Sequence, residues 1–481
     1  MSKLTPIIVF IISSNLWTQN NIDSLKSNYS FGKGGNLKML YDRRQRPQAL
    51  KYQDSLFIVF NGNASNLREK PKTYPMIASF NIKTKKYGSE FIIDTILSSD
   101  HHHCPIFWIG NTNKFNVIYG AHNSSGYHLT SKNEKSIGNY YLDWVKKTFL
   151  NTNVSYPSLL KSLFGDVVYF REYGHTGHWK YALWSEESGC WKLIEKPITN
   201  LDKEGMFEWS SYHSVILGEN KRFLHVAFVS YDDNKENNPG RYFNERYNMI
   251  LTNDFKYNLY YLKIDLSTHE AYNFYGKQLK LPIDLYKANT ECLIWNTQGR
   301  GSGIPPEIII DKNGNAAFLH VITEETIDNL SYYFIKFQDG EWIKSKIRSS
   351  NHQWNNGGII IKKNKYFSYL IVGDSVKRTK YDDGFNLLKK NLKNWTKINE
   401  FNGNYLDKHG GGDVEEWVSV NGIDWKFSKK ITPHSKDKNW KYNNIQFVND
   451  SDGNQLENYM LYYGWETNKP KNTSVFFHIE E

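Results

Sequence analysis

The run Ser99-Asp100-His101-His102-His103-Cys104-Pro105 puts three histidines, a carboxylate and a thiol side by side. These are metal-ligand types, but adjacent side chains cannot all face one ion, and ligands normally come from spaced positions or separate elements. The other reading is a loop in which one imidazole exchanges protons. Single reactive residues follow downstream: His122 in "VIYGAH", Tyr156 in "SYP", Arg171 in "VVYFRE" and Tyr212 in "SSYHSVI". Imidazole and phenol move protons when their neighbours tune them. Guanidinium stays charged and can hold a carboxylate through two N–H groups. The set suits proton transfer beside a carboxylate.

Such residues act together only if the fold brings them together. One unit recurs along the chain: a short apolar strand, a polar turn, and a second strand rich in aromatic and β-branched residues. It starts at Pro47, Pro105, Pro157, His213, Pro306, Gly358 and Ile445. The turns carry the Gly, Asn and Asp that tight hairpins need. The spacing between copies leaves room for two outer strands per unit, and several outer strands close on Gly and Trp, at Trp191, Trp342 and Trp425. The last, Ser419-x-Asn421-Gly422-x-Asp424-Trp425, resembles the Asp-box turn of sialidase-type blades, a folding device that says nothing about chemistry. Seven four-stranded antiparallel units repeated about an axis give an all-β, seven-bladed β-propeller. A pair of β-sandwiches is the alternative. On a propeller, residues at equivalent places in successive blades meet at one mouth of the central channel.

In that frame His102 and Tyr156 precede the first strands of two neighbouring units, Tyr212 holds the same place in the next, and His122 and Arg171 close second strands. His102-x-x-Pro105, then His122, then Tyr156-Pro157 and a hairpin ending in Arg171, resembles the propeller-type ulvan lyases, polysaccharide lyases with Asp-box-like repeats. The resemblance covers most of the chain beyond residue 40, including "IPPEIIIDKNGNAAFLHV". That family tends to carry Asp-Asp-His-Asn before the proline. Register therefore selects His102, with His101 and His103 as alternatives.

The resemblance implies β-elimination at a glucuronate or iduronate within a sulfated polysaccharide, with His102, His122, Tyr156 and Arg171 catalytic and Tyr212 and Arg300 binding substrate. A cation against the uronate carboxylate stabilises the enolate-like transition state more than the ground state. Tyr156 and His102 are the candidates to take the C5 proton and to protonate the leaving O4. Arg171 beside Tyr156 would favour a tyrosinate. No cofactor is required for this chemistry. "KHGGGD" from Lys408 and Cys292 are the candidates for a structural divalent metal.

Composition bounds the rest. Aromatic residues make up 16% of the chain and the net charge is +10. The first marks a folded, strand-rich protein and the second suits an anionic partner. No Lys/Arg block or nucleic-acid module appears. "MSKLTPIIVFIISSNLW" reads as a signal peptide within residues 1–25, too short for a membrane span, ahead of one catalytic domain over 38–481. The expected location is therefore secreted or periplasmic. Cys104, Cys190 and Cys292 form no disulfide framework. His225 and His320 read as core histidines, and "QGRGSGIPP" as a propeller loop. Two other functions compete: a rhamnosidase-like hydrolase, needing paired carboxyl groups such as Asp100, Glu172 or Glu208, and a non-catalytic carbohydrate-binding propeller.

Overall fold

The computed structural model describes residues 28–31, 48–62, 72–98, 100, 102–103, 105–202, 209–218, 220–232, 243–247, 249–250, 255–327, 329–373, 410–432, 440–467 and 469–480. The signal segment read at residues 1–25 lies outside these, as do His101, Cys104, Glu208, Lys408 and His409.

The hairpins read from the sequence form the first two strands of successive antiparallel sheets. The second sheet runs Ile106–Ile109, Phe115–Tyr119, Tyr127–Ser131, Trp144–Thr148, and the third Val154–Ser162, Gly165–Glu172, His178–Ser185, Cys190–Leu193. The fourth begins with Trp209–Leu217, Phe223–Asp232 and Lys256–Asp265. An eight-stranded sheet is two such units, the first and last, touching through the single parallel pair Leu50↔Asn449. The protein is an all-β propeller of four-stranded blades. Its core follows the same pattern. Seven buried apolar clusters each span two neighbouring blades; one joins Ile58 and Phe60 of the first to Leu461 and Tyr463 of the last. Burying a large apolar side chain contributes about 1.5–3 kcal/mol, so contacts between blades, more than pairing within them, hold the ring.

The ring closes with a strand that lies ahead of the expected domain boundary at residue 38. Asn28–Phe31 pairs antiparallel with Lys469–Ile479 as the outermost strand of the last blade. The alternating "NYSF" is too short to announce a strand by itself; its register comes from an edge far away in the chain.

The Asp-box turn behaves as read. Asn421 Oδ1 accepts the N–H groups of Ile423 and Asp424, Gly422 N–H reaches Ser419 Oγ, and Trp425 packs edge-on against Phe334 of the preceding blade. Gly422 has φ +72°, where glycine carries no steric penalty.

His225 and His320 are buried, as expected of core residues. Burial pushes His225 down to about 3, helped by Lys263, and pushes His128 and His478 down to about 4, helped by Lys147 and Lys429. An unfolded histidine titrates near 6.5, so the unfolded chain binds protons first as pH falls. Stability from these three sites is complete above that pH and is lost on acidification towards 4, by on the order of 3 kcal/mol each. The melting temperature should therefore fall steadily below pH 6.5, and His225→Gln should flatten the slope. A flat profile in both proteins would refute this account.

Candidate active site

The loop before the second blade is an Asx turn. Asp100 Oδ1 accepts the backbone N–H of His102, and the backbone N–H of Asp100 donates to Ser98 Oγ. This fixes the carboxylate between two imidazoles. His102 Nδ1 donates to Oδ1 at 2.8 Å, and His122 Nδ1 donates to Oδ2 at 2.7 Å. The rings lie face to face, centroids 3.9 Å apart. Gly120, at φ +73°, lets the chain turn sharply after Phe115–Tyr119 and bring His122 over the loop. His103 does something else: Nδ1 bonds Ser98 Oγ at 2.7 Å, and burial lowers its pKa. Burial alone would raise the Asp100 pKa, but the hydrogen bonds and charge of His102 and His122 hold it far below the carboxylate range.

Tyr156 follows in the third blade. It sits where the pairing of Val154–Ser162 with Gly165–Glu172 slips between Ser155 and Ser158, at φ +57° and directly before Pro157. An aromatic residue in that conformation is a backbone outlier, the kind of strain that a fold retains at functional sites. The bulge re-aims the side chain. The Tyr156 ring meets His102 at 5.1 Å, His122 at 5.4 Å and Tyr212 at 5.3 Å, and the two phenol oxygens lie 3.1 Å apart. Blades two, three and four thus contribute to one contact set.

Arg171 lies deeper than its place near a strand end suggests. It lies beneath this set with no exposed surface, Cζ 4.7 Å from the Tyr156 ring centroid and 5.1 Å from that of Tyr212. Its Nη1 donates to Tyr231 Oη at 3.0 Å, and that phenol donates to the His175 carbonyl. Burial opposes its charge, but the oxygens of Tyr231, Tyr212 and Tyr156 raise its pKa, so it stays a cation. From this position it faces phenols. Arg300 stands apart, over the Trp295 ring with Nε donating to the Thr297 carbonyl. Tyr231 and Lys256 are the residues that the sequence reading missed. Lys256 Nζ lies 4.7 Å from the Tyr212 ring centroid and 5.1 Å from that of Trp354. Tyr231 is the penultimate residue of the second strand of its blade, as Arg171 is in the preceding blade, and that register was the available signal.

Pro157 and His213, the next residues after Tyr156 and Tyr212, line the central channel, a cavity of about 480 Å³ walled by inner strands. Asp100, His102 and His122 are the one group among the described residues with donor atoms close enough to hold a metal ion. Their contacts are those of two N–H donors on one carboxylate. Cys292 is buried, and burial pushes its thiol up to about 12. Glu172 accepts from Thr152, His178 and Lys180, and these bonds lower its pKa against the effect of burial. Neither Asp100 nor Glu172 has the raised pKa of a glycosidase general acid.

Asp100→Asn keeps the shape but turns an N–H donor towards one imidazole N–H. One ring must then rotate or change tautomer, so kcat should fall by about 10²-fold with little change in melting temperature. Steady-state rates alongside thermal unfolding check this.

A family model described as "BNR repeat-containing family member" matches residues 33–350. Among solved structures, the chain is similar to an ulvan lyase of polysaccharide lyase family PL25 bound to -[GlcA(1-4)Rha3S]-. The TM-score is 0.68 at 14% identity, covering 94% of this chain and 96% of the other. It is also similar to polysaccharide lyase Uly1, with TM-score 0.58 and 13% identity over 90% and 89%. At these identities the likeness is one of fold. No curated protein matches the chain by sequence.

Proposed function

The chain belongs to the BNR repeat-containing family, and from that premise we propose that it is a polysaccharide lyase cleaving an ulvan-like sulfated polymer by β-elimination at a uronic acid. The observation that carries the reading is the convergence of His102, His122, Tyr156 and Tyr212 from three blades, with Arg171 behind the phenols. Elimination needs a positive partner for the carboxylate and a group that takes the C5 proton and returns one to O4. The imidazole pair faces the place of the first: Asp100 fixes both rings through Nδ1, and among the described residues His122 Nε2 makes no hydrogen bond. The phenols supply the second, with Arg171 stabilising negative charge on their oxygens.

The hydrolase reading loses ground because both described carboxylates are fully engaged. Secretion, expected from the N-terminal apolar run, belongs to the same proposal, since a large polymer is met outside the cell. No helix among the described residues is long and apolar enough to cross a membrane.

The test is incubation with ulvan while ultraviolet absorbance is followed. A rise that persists in EDTA, from the new C4–C5 double bond, is the expected result. Release of saturated sugars without absorbance would move the chain to the hydrolases, and binding without cleavage would make it a carbohydrate-binding propeller.

A further inference from the structure

We propose that Tyr173 is the platform of a flanking sugar subsite, on which a pyranose ring of the polymer outside the cleaved pair stacks its C–H face. The choice of polymer rests on the lyase reading; the platform itself does not.

Tyr173 follows Arg171 and Glu172 at the end of Gly165–Glu172 and opens the loop that leads to His178–Ser185. Hydrogen bonds fix this loop on the face of the imidazoles and phenols. The Tyr173 N–H donates to the Asn153 carbonyl at 3.1 Å, just ahead of the strand that carries Tyr156. Tyr231 Oη donates to the His175 carbonyl at 2.9 Å while accepting from Arg171. The foot of the loop is Glu172, buried, which accepts from Thr152, His178 and Lys180. Gly177 closes it. A Cβ there would stand 1.6 Å from the Tyr173 carbonyl oxygen and 1.9 Å from that of Glu172. A loop held at its foot, its middle and its end keeps its side chains in place.

Strain then singles out one of them. Tyr173 is 54% exposed, with its backbone at φ +57°. Most of the described non-glycine residues at positive φ are Asn, Asp, Lys or Gln; two are tyrosines, Tyr156 and Tyr173, both in the third blade. Asn or Gly takes this conformation at less cost, so a bulky ring there is strain of the kind that folds retain at functional sites. Tyr156 uses it to aim its ring into the buried contact set. Tyr173 turns its ring outward instead, against His178 at 5.8 Å with the planes 70° apart, and His178 is itself held by Glu172 at 2.7 Å. The product is an open aromatic surface at the rim, steadied by an imidazole.

A pyranose offers the matching surface. Its C–H bonds make one face apolar and faintly positive, whereas the face of a phenol ring is apolar and negative. That face repels a carboxylate or sulfate, so the platform takes the carbon face of a sugar with its charged groups turned to solvent. Tyrosine supplies this area at little cost in rotamer freedom. Tyr173 lies beyond the buried Arg171 along the same strand end, so the ring it takes is a neighbour of the uronate under attack.

The test compares Tyr173→Asn with Tyr173→Phe. Asparagine removes the ring and suits the left-handed backbone, so the melting temperature of Tyr173→Asn should equal or exceed that of wild type. On ulvan, Tyr173→Asn should raise KM about tenfold with kcat within about twofold of wild type, whereas Tyr173→Phe should hold KM within about twofold. Calorimetric titration with ulvan oligosaccharides, on a His102→Ala background that slows cleavage, should show the same contrast in Kd, growing with oligosaccharide length. Unchanged KM and Kd in Tyr173→Asn overturn the subsite and leave the lyase reading standing. Equal losses in both variants place the effect on the hydroxyl and overturn stacking, and a clearly lower melting temperature in Tyr173→Asn makes the residue structural and overturns the platform. A protein that binds ulvan without cleaving it, and binds it less tightly as Tyr173→Asn, keeps the platform and removes the lyase reading. A protein that neither binds nor cleaves ulvan removes both.

Discussion

His102→Ala and His122→Ala are each expected to lower kcat on ulvan by about 10²–10⁴-fold, while His103→Ala costs less than about tenfold, within the usual range for general acid–base groups. His102 and His103 are adjacent in the chain, so sequence proximity cannot produce the contrast between them. His102 and His122 share the Asp100 carboxylate, stack on one another and meet Tyr156 edge-on. Removing either leaves the carboxylate half-satisfied and takes away a ring that faces Tyr156. His103 instead ties its loop to Ser98 and sits 3.7 Å from Asp100 at its far ring nitrogen. Its loss should appear as a lower melting temperature. Rate measurements with circular dichroism for each variant check the pattern. Equal losses from all three, restored by added zinc, would mean that the loop works as a metal site.

Arg171→Met should abolish most activity, by about 10³-fold or more in kcat, without lowering the melting temperature. The two halves of this expectation have different origins. Catalysis loses the cation that stabilises negative charge on the phenols. Stability loses one hydrogen bond to Tyr231 and two cation–ring contacts, worth about 0.5–2 kcal/mol each. It gains relief from a buried charge, and replacing such charges by apolar groups of similar volume is often neutral or stabilising. Arg171→Lys should not rescue the rate, because a point charge cannot span the phenols that the flat guanidinium touches. An Arg171→Met protein that unfolds at much lower temperature would show that the residue is chiefly structural.

The difference between what the sequence disclosed and what it withheld follows from range. The hairpins were legible because strand pattern and turn chemistry are local: Val167–Phe170 reads apolar, and Gly165 and Gly453 mark reversals within a few residues. The candidate residues were legible by type and by place within the repeat. Depth was not. A guanidinium at a strand end reads the same whether it lies at the surface or under three phenols, and the burial of Arg171 was hidden for that reason. Lys256 in "FKYNLYY" reads as an outward strand residue, yet it is 3% exposed, with Tyr212 of its own blade and Trp354, distant in the chain, on either side of it. Asn28–Phe31 depends wholly on a partner that no local window contains.

That clasping strand also constrains the order of assembly. Asn28–Phe31 is made before any inner strand, but its partner Val475–His478 is made after nearly all of them. During synthesis the nascent last blade lacks an outer edge and the early strand lacks a neighbour, so each presents unpaired backbone to whatever is nearby. Closure requires contacts between distant parts of the chain, the type that forms slowly and keeps intermediates open to misassembly. The finished ring gains in return. The first and last blades part only if this clasp is undone together with the apolar cluster behind it, so fraying at either end does not spread easily into the mouth where the phenols and imidazoles meet.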